Sequence, residues 1–238
     1  MVTKKLCHPI VSIVVCTRNR VKLLKRCIDS LLSLDYPKSN FEIILVDNNS
    51  EDETKQFLFN NYPNIKYVFE NNIGIPYARN AGVNNANGSI IAFIDDDCVP
   101  EKNWLKELIK GFKSDKIIGV GGPTYPFSKK VSNKNFVDPI LGTFDGGSQE
   151  RYINYIGTGN SAFRCEAFNL SHFDVNLKRF EDVLFCLTLR QFGYKILYVP
   201  SAIIYATTSS NRFGIKPIIK RAFDDGLSYA YLNFQIRN

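Results

Sequence analysis

Three consecutive carboxylates, Asp95-Asp96-Asp97, end the apolar run Ile90-Ile91-Ala92-Phe93-Ile94. Adjacent like charges repel, and a divalent cation relieves that repulsion. The run is β-branched and aromatic, bounded by Asn87-Gly88-Ser89 and Pro100, which predicts a buried strand. Side chains alternate along a strand, so Asp95 and Asp97 are expected to share one side while Asp96 points away. Asp97 is expected past the buried part of that strand. Two hard oxygen ligands at i and i+2 suit Mg2+ or Mn2+. Aspartates also end strands in solvated turns, and the triplet alone does not separate the two readings.

Other polar clusters follow apolar runs in the same manner. Thr17-Arg18-Asn19-Arg20 follows Ile10 to Cys16, Asp47-Asn48-Asn49-Ser50 follows Phe41 to Val46, and Asn71-Asn72-Ile73-Gly74 follows Ile65 to Phe69. Later come Gly157-Thr158-Gly159-Asn160, after Tyr152 to Ile156, and the acidic pair Glu181-Asp182. Acids in a first helical turn also favour the macrodipole, so that pair has a purely helical explanation too.

These clusters need elements to hold them. Helical spacing is expected over Val21 to Leu34, near Pro76 to Asn85, over Trp104 to Phe112, near Glu166 to Leu170, and over Val183 to Phe192 with Gly193 closing the last. The segment Asp47 to Ser50 offers caps for an acidic helix start at Glu51-Asp52-Glu53. Further strands are expected at Ile117 to Val120, Lys195 to Val199 and Ala202 to Tyr205. Tyr125 to Glu150 has no periodicity and predicts a long excursion over the sheet. From Lys216, Ile218, Ile219, Ala222 and Phe223 pattern a basic amphipathic helix. It would suit an anionic membrane face, and packing against its own domain would use the same residues. Strand and helix alternate as in a doubly wound α/β sheet of mostly parallel order. Such sheets bind ligands beyond the carboxyl ends of their strands, where the order reverses, and the first four polar clusters fall at those ends.

The 238 residues, 45% hydrophobic and 13% aromatic, can bury a full core. A net charge of +7 suits an anionic ligand, nucleic acid or an anionic membrane. Nucleic acid is not expected, because no recognisable motif or interleaved aromatic-basic run is present. The six cysteines form no C-x-x-C and no zinc-like pairing with His8 or His172. With no signal peptide and no apolar stretch of membrane-spanning length, the expected setting is the reducing cytoplasm, at most at the inner face of a membrane.

In order and spacing, six motifs between about Pro9 and Tyr205 resemble family 2 glycosyltransferases of the GT-A fold. They are Val14-Val15-Cys16-Thr17-Arg18-Asn19-Arg20, Ile44-Leu45-Val46-Asp47-Asn48-Asn49-Ser50, Asn72-Ile73-Gly74 with Ala78-Arg79-Asn80-Ala81-Gly82, Phe93 to Asp97, Gly157 to Asn160, and Glu181-Asp182 through Gly193-Tyr194. The resemblance implies one α/β, Rossmann-like, doubly wound GT-A domain with a mostly parallel central sheet and a C-terminal helical tail. It would have a nucleotide-binding half at about 9–122, an acceptor half at about 123–206 and the tail at about 207–238. It implies transfer of a sugar, with inversion, from a nucleotide-diphosphate donor (a UDP-sugar favoured over GDP- or dTDP-sugars) to a glycan, lipid-linked or other hydroxyl acceptor in polysaccharide or glycoconjugate synthesis. Thr17 and Arg20 would lie by the nucleotide, Asp47 near its base and Asp95 near the ribose. Asp97, with Asp95, would hold Mn2+ or Mg2+ on the diphosphate. Arg18, Asn49, Gly74, Arg79 and Asp96 would belong to the donor side, and Gly159 and Asn160 to the sugar and acceptor pocket. Asp182, with Glu181 beside it, would be the general base. Arg79 would stabilise charge on the leaving diphosphate, or else lie on a helix surface. Many relatives carry a histidine just after the last strand, whereas here Ile203-Ile204-Tyr205-Ala206-Thr207-Thr208 has none. A catalytically silent, nucleotide-sugar-binding partner subunit is the alternative.

Overall fold

A strand of Val, Ile and Cys with no polar face must lie inside a sheet covered on both sides. Val11–Thr17 (β1) does so in the computed structural model, which describes residues 10–127, 144–207 and 224–231. The chain continues through α1 (Val21–Leu32), a 3-10 turn at Lys38–Asn40, β2 (Phe41–Asp47), α2 (Thr54–Asn61), β3 (Lys66–Phe69), α3 (Ile75–Asn84) and β4 (Ile90–Asp95). Next come β5 (Cys98–Pro100), α4 (Trp104–Lys110), β6 (Ile117–Gly121), β7 (Thr124–Pro126), β8 (Arg151–Ile153) and β9 (Asn160–Arg164). They are followed by α5 (Ala167–Leu170), α6 (Glu181–Gln191), β10 (Lys195–Tyr198) and β11 (Ile204–Ala206). Residues 224–231 are helical.

Eight strands form one sheet in the order β3-β2-β1-β4-β9-β6-β10-β8. The first four are mutually parallel, and β6 is parallel to β10. β9 runs antiparallel to both neighbours, and β8 antiparallel to β10. This is the mixed, mostly parallel α/β sheet expected. A second sheet of three short strands, β5-β11-β7, was not foreseen.

One apolar layer packs Leu24, Ile28 and Leu31 of α1 and Trp104 and Leu108 of α4 against the sheet. The opposite layer is aromatic: Phe93, Phe163, Phe168, Phe173 and Phe185 meet there, with Phe168 and Phe185 stacked at 5.0 Å between ring centroids. A methyl group on Gly119 of β6 would lie 2.6 Å from the Phe163 ring, so the glycine makes room for that ring.

Several boundaries differ from expectation. Asn160–Arg164 is a central strand, where the sequence predicts a loop running toward a helix. Its segment is short and rich in small residues, and its partners on both sides, not its own alternation, define it. The strand expected from Tyr152 to Ile156 shortens to β8, and the one from Ala202 begins only at Ile204. α1 stops at Leu32 rather than Leu34. α2 starts at Thr54, because Asp52 precedes the helix and accepts the Thr54 amide at 3.1 Å instead of lying in its first turn. Gly193 ends α6 with φ 84°, a left-handed value suited to glycine. The tail pattern from Lys216 to Phe223 lies outside the described residues, as do 128–143 of the expected excursion. At that excursion's described ends, Thr124 bridges to Phe144.

Candidate active site

Parallel register brings three strand ends to one edge: Thr17 lies beside Asp47, and Cys16 beside Asp95. β4 ends at Asp95, and the chain turns through Asp96 and Asp97. Alternation therefore stops before it can place Asp97. Asp95 and Asp97 still bring carboxylate oxygens within 4.8 Å of each other, as expected, but Asp96 is not turned away from Asp97, because both face Arg20. Arg20 Nη1 lies 2.7 Å from Asp96 Oδ1, and Nη2 lies 2.5 Å from Asp97 Oδ2. Thr17 Oγ1 donates to Asp96 Oδ2 at 2.7 Å. Burial pushes the Asp96 carboxyl up to about 7 against the opposing pull of Arg20. Asp97 is only 4% exposed, another departure from the expected position past the buried strand, while Asp95 is exposed.

Single donor atoms of Asp95, Asp97 and Cys98 lie within 4.8 Å of one another. Cys98 was not among the expected residues. Its thiol donates toward Asp97 Oδ1 at 3.6 Å, and burial holds it well above the usual thiol range, so it is a neutral neighbour at physiological pH. The stretch after β11, where no histidine stands, reaches this cluster: the Thr207 amide donates to the Asp97 carbonyl at 2.9 Å. The Thr207 hydroxyl oxygen is buried without a hydrogen-bond partner among the described residues.

Arg79, on α3, links this cluster to the second acidic pair. Its Nη2 lies 3.9 Å from Asp95 Oδ1, and its Nη1 forms a buried ion pair with Glu181. Arg79 is thus an internal link and not a helix-surface residue. Burial raises the Glu181 carboxyl to about 7, with Arg79 opposing the rise. Asp182 is half-buried, and its Oδ2 accepts the Thr158 amide at 3.2 Å. Gly159, next to Thr158, lies close against the first group, since a Cβ there would stand 2.8 Å from Asp95 Oδ2.

The remaining expected residues are distributed differently. Asp47 is buried and accepts the Tyr67 hydroxyl at 2.8 Å and the Ser50 amide at 2.9 Å. Asn49 adopts φ 60° and donates to the Asn71 carbonyl at 3.2 Å. Asn48, not singled out from sequence, organises the neighbouring loop: Nδ2 donates to the Asn72 carbonyl at 2.6 Å, and Oδ1 accepts the Gly74 amide at 2.8 Å. Its place between two other polar residues in Asp47-Asn48-Asn49-Ser50 was the available signal. Gly74 precedes α3 with φ 152°. Arg18 is exposed. Asn160 is buried, and its amide is committed to protein: Nδ2 donates to the Pro123 and Ala202 carbonyls at 2.7 and 2.8 Å, and Oδ1 accepts from Trp104 Nε1 at 2.7 Å.

A mixed sheet of this order, with an acidic cluster at the carboxyl edge of its parallel half, has the GT-A architecture. It superposes on a mannosyltransferase from Pyrobaculum calidifontis, solved with GDP-Man and Mn2+, with a TM-score of 0.70 at 19% identity over 85% of this chain and 58% of that one. It also superposes on S. aureus TarS residues 1-349 in complex with UDP-GlcNAc, with a TM-score of 0.66 at 21% identity over 84% and 59%.

Residues 12–178 match glycosyl transferase family 2, and the chain belongs to that family. Glycosyltransferase AglE of Haloferax volcanii is 34% identical over 125 residues, half of this chain and 41% of that protein. The dolichyl N-acetyl-alpha-D-glucosaminyl phosphate 3-beta-D-2,3-diacetamido-2,3-dideoxy-beta-D-glucuronosyltransferase of Methanococcus voltae is 28% identical over 235 residues, 91% of this chain and 73% of that protein. The matched part thus spans less than half of the Haloferax protein. Among the described residues no helix is long and apolar enough to cross a membrane.

Proposed function

We propose that this chain transfers a sugar from a nucleoside-diphosphate donor to an acceptor hydroxyl, with inversion at the anomeric carbon. The observation that carries this is the pairing of two acidic sites at one sheet edge, Asp95 with Asp97 and Glu181 with Asp182, joined through Arg79. In the reaction the acceptor oxygen attacks the anomeric carbon as its proton passes to Asp182. The bond from that carbon to the diphosphate oxygen breaks, and its electron pair leaves with the diphosphate. Arg20 and Arg79 supply positive charge near the leaving group. Thr17 and Arg20 orient the donor, and Glu181 fixes Arg79.

Asp95 and Asp97 would hold Mn2+ or Mg2+. The donor set fits a hard cation: two carboxylates beside a protonated thiol, with Thr207, whose amide donates to the Asp97 carbonyl, carrying a buried hydroxyl that has no partner among the described residues. When bound, the cation supplies charge against the departing diphosphate. A UDP-sugar is favoured as donor, with GDP- and dTDP-sugars as the other candidates, and a solved GT-A structure with each of UDP-GlcNAc and GDP-Man supports that range. The name of the Methanococcus relative supports a lipid-linked saccharide as acceptor, in glycoconjugate synthesis at a membrane face. In this reading one domain is divided between a donor half near 9–122 and an acceptor half near 123–206.

A thermal-shift screen of UDP-, GDP- and dTDP-sugars, with and without Mn2+, tests the reading. A donor at a hundred times its Kd stabilises the fold by about 2.7 kcal/mol. The expected result is metal-dependent stabilisation followed by release of nucleoside diphosphate. Tight binding without release would mean a silent nucleotide-sugar-binding subunit, and no stabilisation by any donor would refute both.

A further inference from the structure

The segment that leads into the acidic pair is fastened to the helix 224–231. Between α5 and α6 the chain makes an irregular passage through Phe173, Asp174, Leu177, Lys178 and Arg179 to Phe180. Its start is fastened to α3: Asn80, next to Arg79, donates to the Phe173 carbonyl at 2.8 Å and accepts the Phe173 amide at 3.1 Å. Its later part is fastened to the C-terminal helix. Ser228 Oγ accepts the Arg179 amide at 3.2 Å, Tyr231 donates its hydroxyl to Asp174 at 3.0 Å, and Lys178 lies 3.6 Å from Asp224. Arg179 Nε and Asp225 Oδ1 form a close ion pair. Both atoms are buried and have no other hydrogen-bond partner among the described residues, so each depends on the other.

The residue between this strap and the acidic pair is Phe180, in a left-handed conformation with φ 67°. A bulky side chain adopts that region only when its surroundings over-determine it. Here Arg179 is pinned on one side by Asp225 and Ser228, and Glu181 on the other by Arg79. The Phe180 carbonyl accepts the Leu184 amide at 2.9 Å and so starts α6, which carries Asp182. With Arg179 released, Phe180 would be free to leave this costly conformation, and the first turn of α6 would turn with it.

We propose that the helix 224–231 positions Glu181 and Asp182 for catalysis, and that Asp225, Ser228 and Arg179 are positioning residues for the base. This rests on the assignment of Asp182 as the base. The helix 224–231 thereby acts on the acceptor side of the reaction, through contacts to Asp174, Lys178 and Arg179 and not through the donor cluster at Asp95 and Asp97.

The test uses the full chain carrying Asp225→Asn, Arg179→Ala, or the exchange Arg179→Asp with Asp225→Arg, with Ser228→Ala as the milder variant should a charge change impair folding. Three quantities are measured: amide hydrogen exchange over 177–184, Mn2+-dependent binding of UDP, and nucleoside-diphosphate release from an equimolar mixture of UDP-, GDP- and dTDP-hexoses with water as acceptor. Single changes should speed exchange over 177–184 and lower turnover roughly tenfold to a hundredfold, the range for a small misplacement of a catalytic group. UDP binding should stay within about twofold, since the altered contacts lie away from the donor cluster. The charge exchange should restore exchange protection and turnover together. Unchanged turnover in the single variants, or a loss matched by an equal loss of UDP binding, overturns the proposal. Asp182→Asn run in parallel separates the two ideas. Full turnover in Asp182→Asn refutes the base assignment, whereas an inactive Asp182→Asn beside a fully active Asp225→Asn refutes the strap alone.

Discussion

Replacing Arg79 with methionine removes one half of a buried ion pair and keeps most of the apolar volume. Arg79 is 7% exposed and Glu181 4%, so water cannot take the place of the lost guanidinium. Breaking such a pair costs about 3–5 kcal/mol when the remaining charge stays uncompensated. Glu181 can instead take up a proton, and this makes the cost depend on pH. Its carboxyl already sits at about 7 with Arg79 beside it, above the unfolded value of about 4.3. The folded state therefore holds the proton more tightly, so stability associated with this group is full below the unfolded pKa and is lost as pH rises through the folded one. Without Arg79 the folded pKa moves higher, and the variant continues to lose stability above about 7, where the wild type has levelled off. Each further pH unit adds about 1.4 kcal/mol to the difference. Urea unfolding should therefore show Arg79→Met costing about 1–2 kcal/mol more at about pH 8 than at about pH 6. Adding Glu181→Gln should recover most of the loss and flatten the pH dependence, because a neutral amide needs no counter-charge. A pH-independent cost, or a double variant no more stable than Arg79→Met, would refute the description of Glu181 as a buried carboxyl held by Arg79.

Asp97→Asn keeps a hydrogen-bonding group for Arg20 but weakens the cation site; isothermal titration should show UDP binding that no longer responds to Mn2+, and an unchanged response would move the cation elsewhere. Gly159→Ala would press a methyl group on Asp95, whose exposed carboxylate can swing aside, so the midpoint of unfolding should barely move while Mn2+ affinity falls roughly tenfold, as for a disturbed ligand support. Asn160→Ala strands the Trp104 indole and two carbonyls, and chemical denaturation should show a loss of about 2–4 kcal/mol with UDP affinity little changed.

The parallel half of the sheet was legible because its strands are continuous apolar runs punctuated by polar clusters, and parallel pairing then brings Thr17, Asp47 and Asp95 to one edge. β9 was not, because Asn160 to Arg164 carries no alternation and its place is set by its neighbours, Phe93 of β4 beside Ser161 and Gly119 of β6 beside Phe163. Strand periodicity paired Asp97 with Asp95 but misplaced Asp96 and the burial of Asp97: the turn after Asp95 brings both to Arg20, a residue many positions earlier. Glu181 and Arg79 were each visible as charged residues in helical segments. That they neutralise one another in the interior depends on how α3 and α6 pack over the aromatic layer, which no local pattern encodes. Asn160 illustrates the converse. The family resemblance implied a place in the sugar and acceptor pocket; its side chain makes three hydrogen bonds that join β9 to α4 and to the backbone near β7 and β11.

The central claim, that one acidic pair serves the donor and the other the acceptor, is tested most directly by Asp182→Asn. Transfer rate and Mn2+-dependent nucleotide binding are measured on the same preparation, with Glu181→Gln as control. Loss of a general base lowers the rate by roughly 10²–10⁴, and nucleotide binding at the Asp95 and Asp97 side should remain at the wild-type level. Full transfer by Asp182→Asn, or a loss of transfer explained entirely by lost nucleotide binding, would contradict the account.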